Sequence, residues 1–222
     1  MAAPLVLIAL FLSAFAAARR VRRTRLPGRA VIVPAQESTV IARDGAVRSV
    51  QSAELTMNPT ELRRLWSPAN LENLGRTYWR FLSRVTLGLI RVKYDEDSRS
   101  VMFLGRPFRL LRFGAPEYVL DGAHGAIRWR IRDGLLVART GRGCGYLELD
   151  VRCQPIAADG RAKVKIEVEV ANFYPAISVG FSAPVYKMTQ SVIHVLVTHA
   201  FLRSLGKLQL AESKVGRLAE QP

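Results

Sequence analysis

Residues 182–208 read SAPVYKMTQSVIHVLVTHAFLRSLGKL, and the fold follows from what must cover that stretch. Pro184 suits a first helical turn, where a missing N–H leaves no bond unmade. Val185, Met188, Val192, Val195, His199 and Leu202 recur at spacings of three and four, which predicts a helix over 183–208. Tyr186, Ile193, Leu196, Val197 and Phe201 widen its apolar side. Lys187, Gln190, Ser191, His194 and Thr198 make a narrow polar stripe expected to face water. A helix this apolar needs a large partner surface.

That surface lies upstream. Between 87 and 173 the chain alternates in short runs: 87–94, 100–104, 108–113, 117–120, 126–132, 135–140, 145–153 and 162–173 all read as strands. Ile127, Trp129 and Ile131 alternate with Arg128, Arg130 and Arg132; Val164, Ile166, Val168 and Val170 alternate with Lys163, Lys165, Glu167 and Glu169. Asp-Gly pairs at 121–122 and 133–134 mark hairpins. Strands with one dry and one charged face make an antiparallel meander. Glu148 and Asp150 are expected to meet Lys163 and Lys165 across neighbouring strands. Before the meander, 47–57 reads as a strand. Asn58-Pro59 with Glu61, a capping box, and then Ser67-Pro68 open two helices.

Composition places the chain among globular proteins: 222 residues, 49% hydrophobic and 23% charged. The net charge of +15 includes six arginines between Arg19 and Arg29 and leaves +9 once those are set aside. Such a balance favours anionic surfaces. Nucleic acid is not the expected partner, because the basic residues alternate with apolar ones and no aromatic platform or known nucleic-acid module is present. Cys144 and Cys153 on one extended strand would sit roughly 30 Å apart, too far for a disulfide.

Residues 2–18, AAPLVLIALFLSAFAAA, carry no charge and run into the arginine cluster. With positive charge after the apolar run and none before it, an uncleaved single-pass anchor with the following domain in the cytoplasm is the favoured expectation. The alternatives are a secretory signal cleaved near Ala14-Phe15-Ala16 and a segment lying in the membrane interface. The organisation expected is a hydrophobic segment with its arginine flank at 1–23, a linker at 24–46 with short extended pieces at 31–33 and 40–42, one domain at 47–208 and a tail at 209–222.

The order of elements resembles the helix-grip fold of the START, polyketide-cyclase and birch-pollen-allergen superfamily. The resemblance rests on VQSAELTMNPTELRRLWSPANLENL at 50–74, the meander with its Asp-Gly turns, and APVYKMTQSVIHVLVTHAFL at 183–202. It implies an α+β fold in which a curved antiparallel sheet grips the last helix around a hydrophobic cavity. It also implies a hydrophobic small molecule or lipid as partner, bound without catalysis. A cyclase-like enzyme, or a scaffold docking a basic sheet face, stands as the alternative. The residues expected to line the cavity are Trp129, Phe173, Tyr174, Val185, Met188, Val192, Val195 and His199, within a closed pocket of a few hundred cubic ångströms. No cofactor is expected. No His, Cys or carboxylate spacing suits a metal. The Gly-rich turn Gly141-Arg142-Gly143-Cys144-Gly145 joins two strands and lacks the features of a phosphate loop.

Overall fold

The computed structural model describes residues 27–34, 38–104, 108–176 and 192–212, with side chains for all of these except 192–194. Nine strands form one antiparallel sheet: β1 Arg29–Val33, β2 Thr39–Ile41, β3 Val47–Met57, β4 Ile90–Asp95, β5 Ser98–Phe103, β6 Arg109–Asp121, β7 His124–Asp133, β8 Tyr146–Cys153 and β9 Ala162–Phe173. Three helices accompany it: α1 Pro59–Leu65, α2 Pro68–Val85 and α3 Val192–Ser204. The spatial order β1-β3-β9-β8-β7-β6-β5-β4 places the first long strand beside the last, with the meander running out from them. This is the α+β helix-grip architecture, a curved sheet with a C-terminal helix packed on it.

The helix starts form as their sequence dictates. Asn58 Oδ1 accepts the Thr60 N–H at 2.9 Å, Ser67 Oγ accepts the Asn70 N–H at 3.2 Å, and a proline follows each cap. Glu61 does not complete the capping box. Its carboxylate is held by Arg64 at 2.7 Å.

Four differences from the sequence reading have physical causes. Arg29–Val33 and Thr39–Ile41, within the expected linker, pair with β3 and extend the sheet. The runs at 108–113 and 117–120 are one strand, β6, bent by irregular register between Arg112 and Pro116. Residues 135–140 are not a meander strand. Gly134 has φ 145°, and a Cβ there would lie 2.2 Å from Leu110 O, so only glycine makes this departure from β7. The chain then bridges through Val137 to Pro175 and closes in a 3-10 turn at Arg139–Gly141. Finally, Thr198 is fully buried rather than water-facing. The helix is so apolar all round that its polar stripe does not define an outside.

The core is built in two parts. At one end α2 lies on β7: Trp79 and Trp129 meet edge-on with ring centroids 5.2 Å apart, and Trp79 reaches Phe113 at 5.2 Å. Gly75 allows the approach, since a Cβ there would sit 3.0 Å from the Trp129 ring. The described part of α3 does not take its cover from Ile127 and Trp129, as the patterning suggested. It packs on β1, β3 and α2, with Phe201 edge-on to Tyr78 at 5.1 Å. At the other end Leu55, Met57, Leu71, Leu74, Val164 and Ile166 meet the 3-10 turn Leu205–Lys207 that ends α3.

The opposite face of the sheet is charged and paired. Glu148 binds Arg128 at 2.5 Å, Asp150 binds Arg152 at 2.8 Å, Glu54 binds Lys163 at 3.0 Å and Glu167 binds Lys165 at 3.1 Å. The register puts Glu148 opposite Glu169 and Asp150 opposite Glu167, so the expected pairing with Lys163 and Lys165 does not occur. Arg48 answers Glu169 at 2.7 Å, and Arg130 answers Glu117 at 2.6 Å. Exposed pairs of this kind contribute little stability each. They do neutralise the face that the sequence suggested as a basic docking surface.

Candidate functional site

The aliphatic end of the core contains a slot of about 80 Å³. Its floor is the concave sheet, through Leu55 and Met57 of β3, Val151 of β8 and Val164 and Ile166 of β9. One wall is α1 and the start of α2, with Leu62, Leu65, Leu71 and Leu74; the other is the C-terminal segment, with Leu205, Leu208 and Leu210. Trp66, Ser67 and Asn70 are its remaining polar-tipped neighbours, and each is already engaged. Trp66 Nε1 donates to Gly122 O at 3.0 Å, Ser67 Oγ caps α2, and Asn70 Nδ2 donates to Arg64 O at 3.2 Å. No titratable side chain lines the slot among the described residues. The described lining is suited to hydrocarbon.

Of the two walls α1 is the lightly fastened one, whereas the C-terminal segment buries Leu205, Gly206 and Leu208. α1 buries none of its seven residues. The C-terminal segment is held by Gly28 N–H to Gly206 O at 2.9 Å and Ala211 N–H to Thr77 Oγ1 at 2.8 Å, with Leu208 in the left-handed region at φ 52°. Elements with few buried contacts open at low cost.

The expected cavity residues distribute unevenly. Trp129 is core, 2% exposed, and sealed by Trp79 rather than facing a space. Phe173 is buried at the end of β9. Tyr174 is half-buried, and its hydroxyl donates to Asp44 Oδ2 at 2.8 Å, tying the β2–β3 turn to the exit of β9. That bond raises the phenol above its ordinary value. Val195 is half-buried on α3, and Val192 belongs to the helix. Val185 and Met188 lie outside the described residues. The slot, at about 80 Å³, is smaller than the expected pocket, and Trp129, Phe173, Tyr174, Val195 and His199 are not among the described residues that line it.

His199 joins a polar chain that the sequence reading missed. Its Nε2 lies 2.7 Å from Gln51 Oε1, Gln51 Nε2 reaches Ser49 Oγ at 3.5 Å, and Ser49 Oγ is 3.0 Å from Thr39 Oγ1. Gln51 and Ser49 are 3% and 5% exposed, on the core side of β3. The signal was present: counting back by twos from Met57, Leu55 and Ala53 puts Gln51 and Ser49 on the same inward face. Burial, then the nearby Arg203, hold the His199 imidazole below its ordinary value. A neutral ring bonded to a buried amide fits a core histidine satisfied by its neighbours.

A second concavity, an open groove of about 1060 Å³, lies beyond β4–β6 and is walled by residues 134–142. Lys93, Arg109, Arg139, Arg142, Asp95 and Asp133 line it together with Met102, Leu135 and Val137. It is wide, charged and open, the reverse of the slot. No group of three or more His, Cys, Asp or Glu suited to a metal occurs among the described residues. Neither cysteine is in a disulfide.

No protein-family model matches this chain, and no curated protein matches it. Solved structures do show similarity. A conserved protein from Geobacillus kaustophilus is 12% identical over 72% of this chain and 95% of its own, with a TM-score of 0.37. Norcoclaurine synthase from Thalictrum flavum is 13% identical over 78% of this chain and 98% of its own, with a TM-score of 0.31. Human STARD10 is 11% identical over 74% of this chain and 72% of its own, with a TM-score of 0.27.

Proposed function

We propose that this chain is a non-catalytic binding module, tethered to a membrane by residues 2–18 with its domain on the cytoplasmic side. It receives the apolar part of a small molecule or lipid in the slot between sheet, α1 and C-terminal segment. The observation that carries the reading is the slot itself: an apolar space floored by the concave sheet, with its polar neighbours engaged and no acid or base in its lining. Sites for small molecules usually span about 300–1,000 Å³. A slot of about 80 Å³ is therefore the closed form, and uptake widens it by parting α1 from Leu205–Leu210. Burying hydrocarbon there gains roughly 25 cal/mol per Å².

The open groove is a weaker candidate for an apolar ligand, since its charged lining would have to be desolvated. The tether follows from the uncharged run 2–18 and the arginines after it. Those residues lie outside the described ones, and no helix among the described residues is long and apolar enough to cross a membrane.

The neutral dye N-phenyl-1-naphthylamine provides the test. Full-length protein should enhance its fluorescence saturably, and Val164→Phe, which puts a ring into the slot, should abolish the saturable part. Equal enhancement by wild type and Val164→Phe would overturn the assignment.

A further inference from the structure

Three loops meet at one end of the meander, where β4 begins, β5 ends, β6 begins and β7 ends. The backbone ties them side by side: Leu104 N–H donates to Leu89 O at 2.8 Å, Phe103 N–H to Phe108 O at 2.9 Å, and Leu135 N–H to Arg109 O at 3.1 Å. Along this rim Leu87, Leu104, Phe108 and Leu135 are 76%, 65%, 52% and 59% exposed.

Two of them are also strained. Leu87 and Leu104 have φ of 53° and 54°, the left-handed region where a Cβ crowds the following carbonyl. Glycine or asparagine at either place would relieve strain and exposure together. In the free protein a leucine there is unfavourable on both counts. It gains only when something apolar takes up the side chain.

The charge around these tips is one-sided. The described residues 84–91, 103–104, 108–112 and 132–143 contain seven arginines and one carboxylate, Asp133. That carboxylate is already held by Arg112 and, at 3.6 Å, by Arg109. At the other end of the same strands the turns carry Asp95, Glu96, Asp97 and Asp121, with Lys93 bound to Asp95 at 2.8 Å and Arg99 alongside. The meander is thus polarised along its strands, basic and apolar at one end, acidic at the other.

We propose that this rim docks on a bilayer surface bearing anionic lipids. The tips Leu87, Leu104, Phe108 and Leu135 enter the interface, and Arg84, Arg91 and Arg109 meet headgroup phosphates. Arginines that keep their heads in the polar layer while apolar neighbours go deeper are the usual composition of an interfacial contact. A protein partner fits less well: aromatic anchors in a closely packed patch are the mark of such interfaces, and this rim offers single tips on separate loops. The inference does not rest on the slot.

Its test uses the full chain in a Cys144→Ser, Cys153→Ala background. An environment-sensitive fluorophore is placed on Leu104→Cys or, as a control, on Ile156→Cys, an exposed apolar residue in the β8–β9 turn. With phosphatidylcholine vesicles containing phosphatidylglycerol, the probe at 104 should shift to the blue, and high salt should reverse it. The probe at 156 should not move, nor should either probe with phosphatidylcholine alone. The unlabelled double variant Leu87→Asn, Leu104→Asn should melt at or above the wild-type temperature, and adding Leu87→Asn and Leu135→Asn to the protein labelled at 104 should remove most of the salt-reversible blue shift, given the apolar area taken from the rim. No shift at 104, or equal shifts at 104 and 156, would overturn the proposal. So would an unlabelled double variant that melts lower, or a labelled protein whose shift is unchanged by Leu87→Asn and Leu135→Asn. Dye uptake by the slot should be unchanged in the unlabelled double variant, so the two proposals fail separately.

Discussion

The two ends of the core are built to different standards. At the α2–β7 end five aromatic rings, Tyr78, Trp79, Phe113, Trp129 and Phe201, interlock at centroid distances of 5.1–5.2 Å. Where α2 crosses β7, a Cβ at Gly75 would lie 3.0–3.1 Å from the Trp129 and Ile127 side chains. At the slot end, flexible aliphatic side chains surround a space of about 80 Å³ beneath an unburied helix and a chain segment tied by one backbone bond to Gly28 and one bond to the Thr77 hydroxyl. One end is closely packed, and the other is the end at which we propose a ligand enters. On that proposal, the division separates stability from binding within a single core.

The comparison breaks most visibly at the rigid end. Trp129→Ala should cost about 3–5 kcal/mol, read by denaturant unfolding, because the ring is fully enclosed and α2 cannot collapse onto the gap. A cost under about 1 kcal/mol would mean that this end is not tightly packed. Gly75→Ala should also destabilise, since overpacking against Trp129 and Ile127 costs about 1–3 kcal/mol and outweighs the roughly 1 kcal/mol that alanine gains over glycine in a helix. At the slot end the sign differs. Val164→Phe should change stability by less than Gly75→Ala does, because the ring has space to enter, while removing dye uptake.

The smallest effect concerns pH. The folded-state imidazole of His199 is held below its ordinary value, so near pH 6.5 and under it the unfolded chain binds the proton more readily than the folded one. Stability contributed by the neutral ring is present above the unfolded value and is lost as pH falls through the folded value. Unfolding curves between about pH 8 and pH 5 should show that decline, and His199→Gln should flatten it.

How much of this was legible in the sequence differs by element. Period-two patterning gave the Ile127-Trp129-Ile131 and Val164–Val170 faces, and cap-then-proline grammar gave both helix starts, because these signals are local. The order from β4 to β9 follows from short turns, whereas the pairing of β3 with β9 is long-range and was not read. The excursion at 135–140 was misread because Leu135-Leu136-Val137 has strand composition, and only the demand for glycine at 134 reveals the departure. Which end of the core would be open was not legible. Trp129 and Leu55 both read as inward-facing, and only the placement of α2 over one and of Leu205–Leu210 over the other separates them. The inward Gln51 and Ser49 could have been found by extending the alternation of β3, which would have supplied His199 with its partner.

The most direct test of the central claim is methyl-resolved NMR of the protein labelled at Leu, Val, Ile and Met, titrated with N-phenyl-1-naphthylamine. Saturable shifts at Leu55, Met57, Val164, Leu205 and Leu208, with Ile131 unmoved, are the predicted result. Shifts centred on Ile131, or none at the slot methyls while the dye binds, would contradict it.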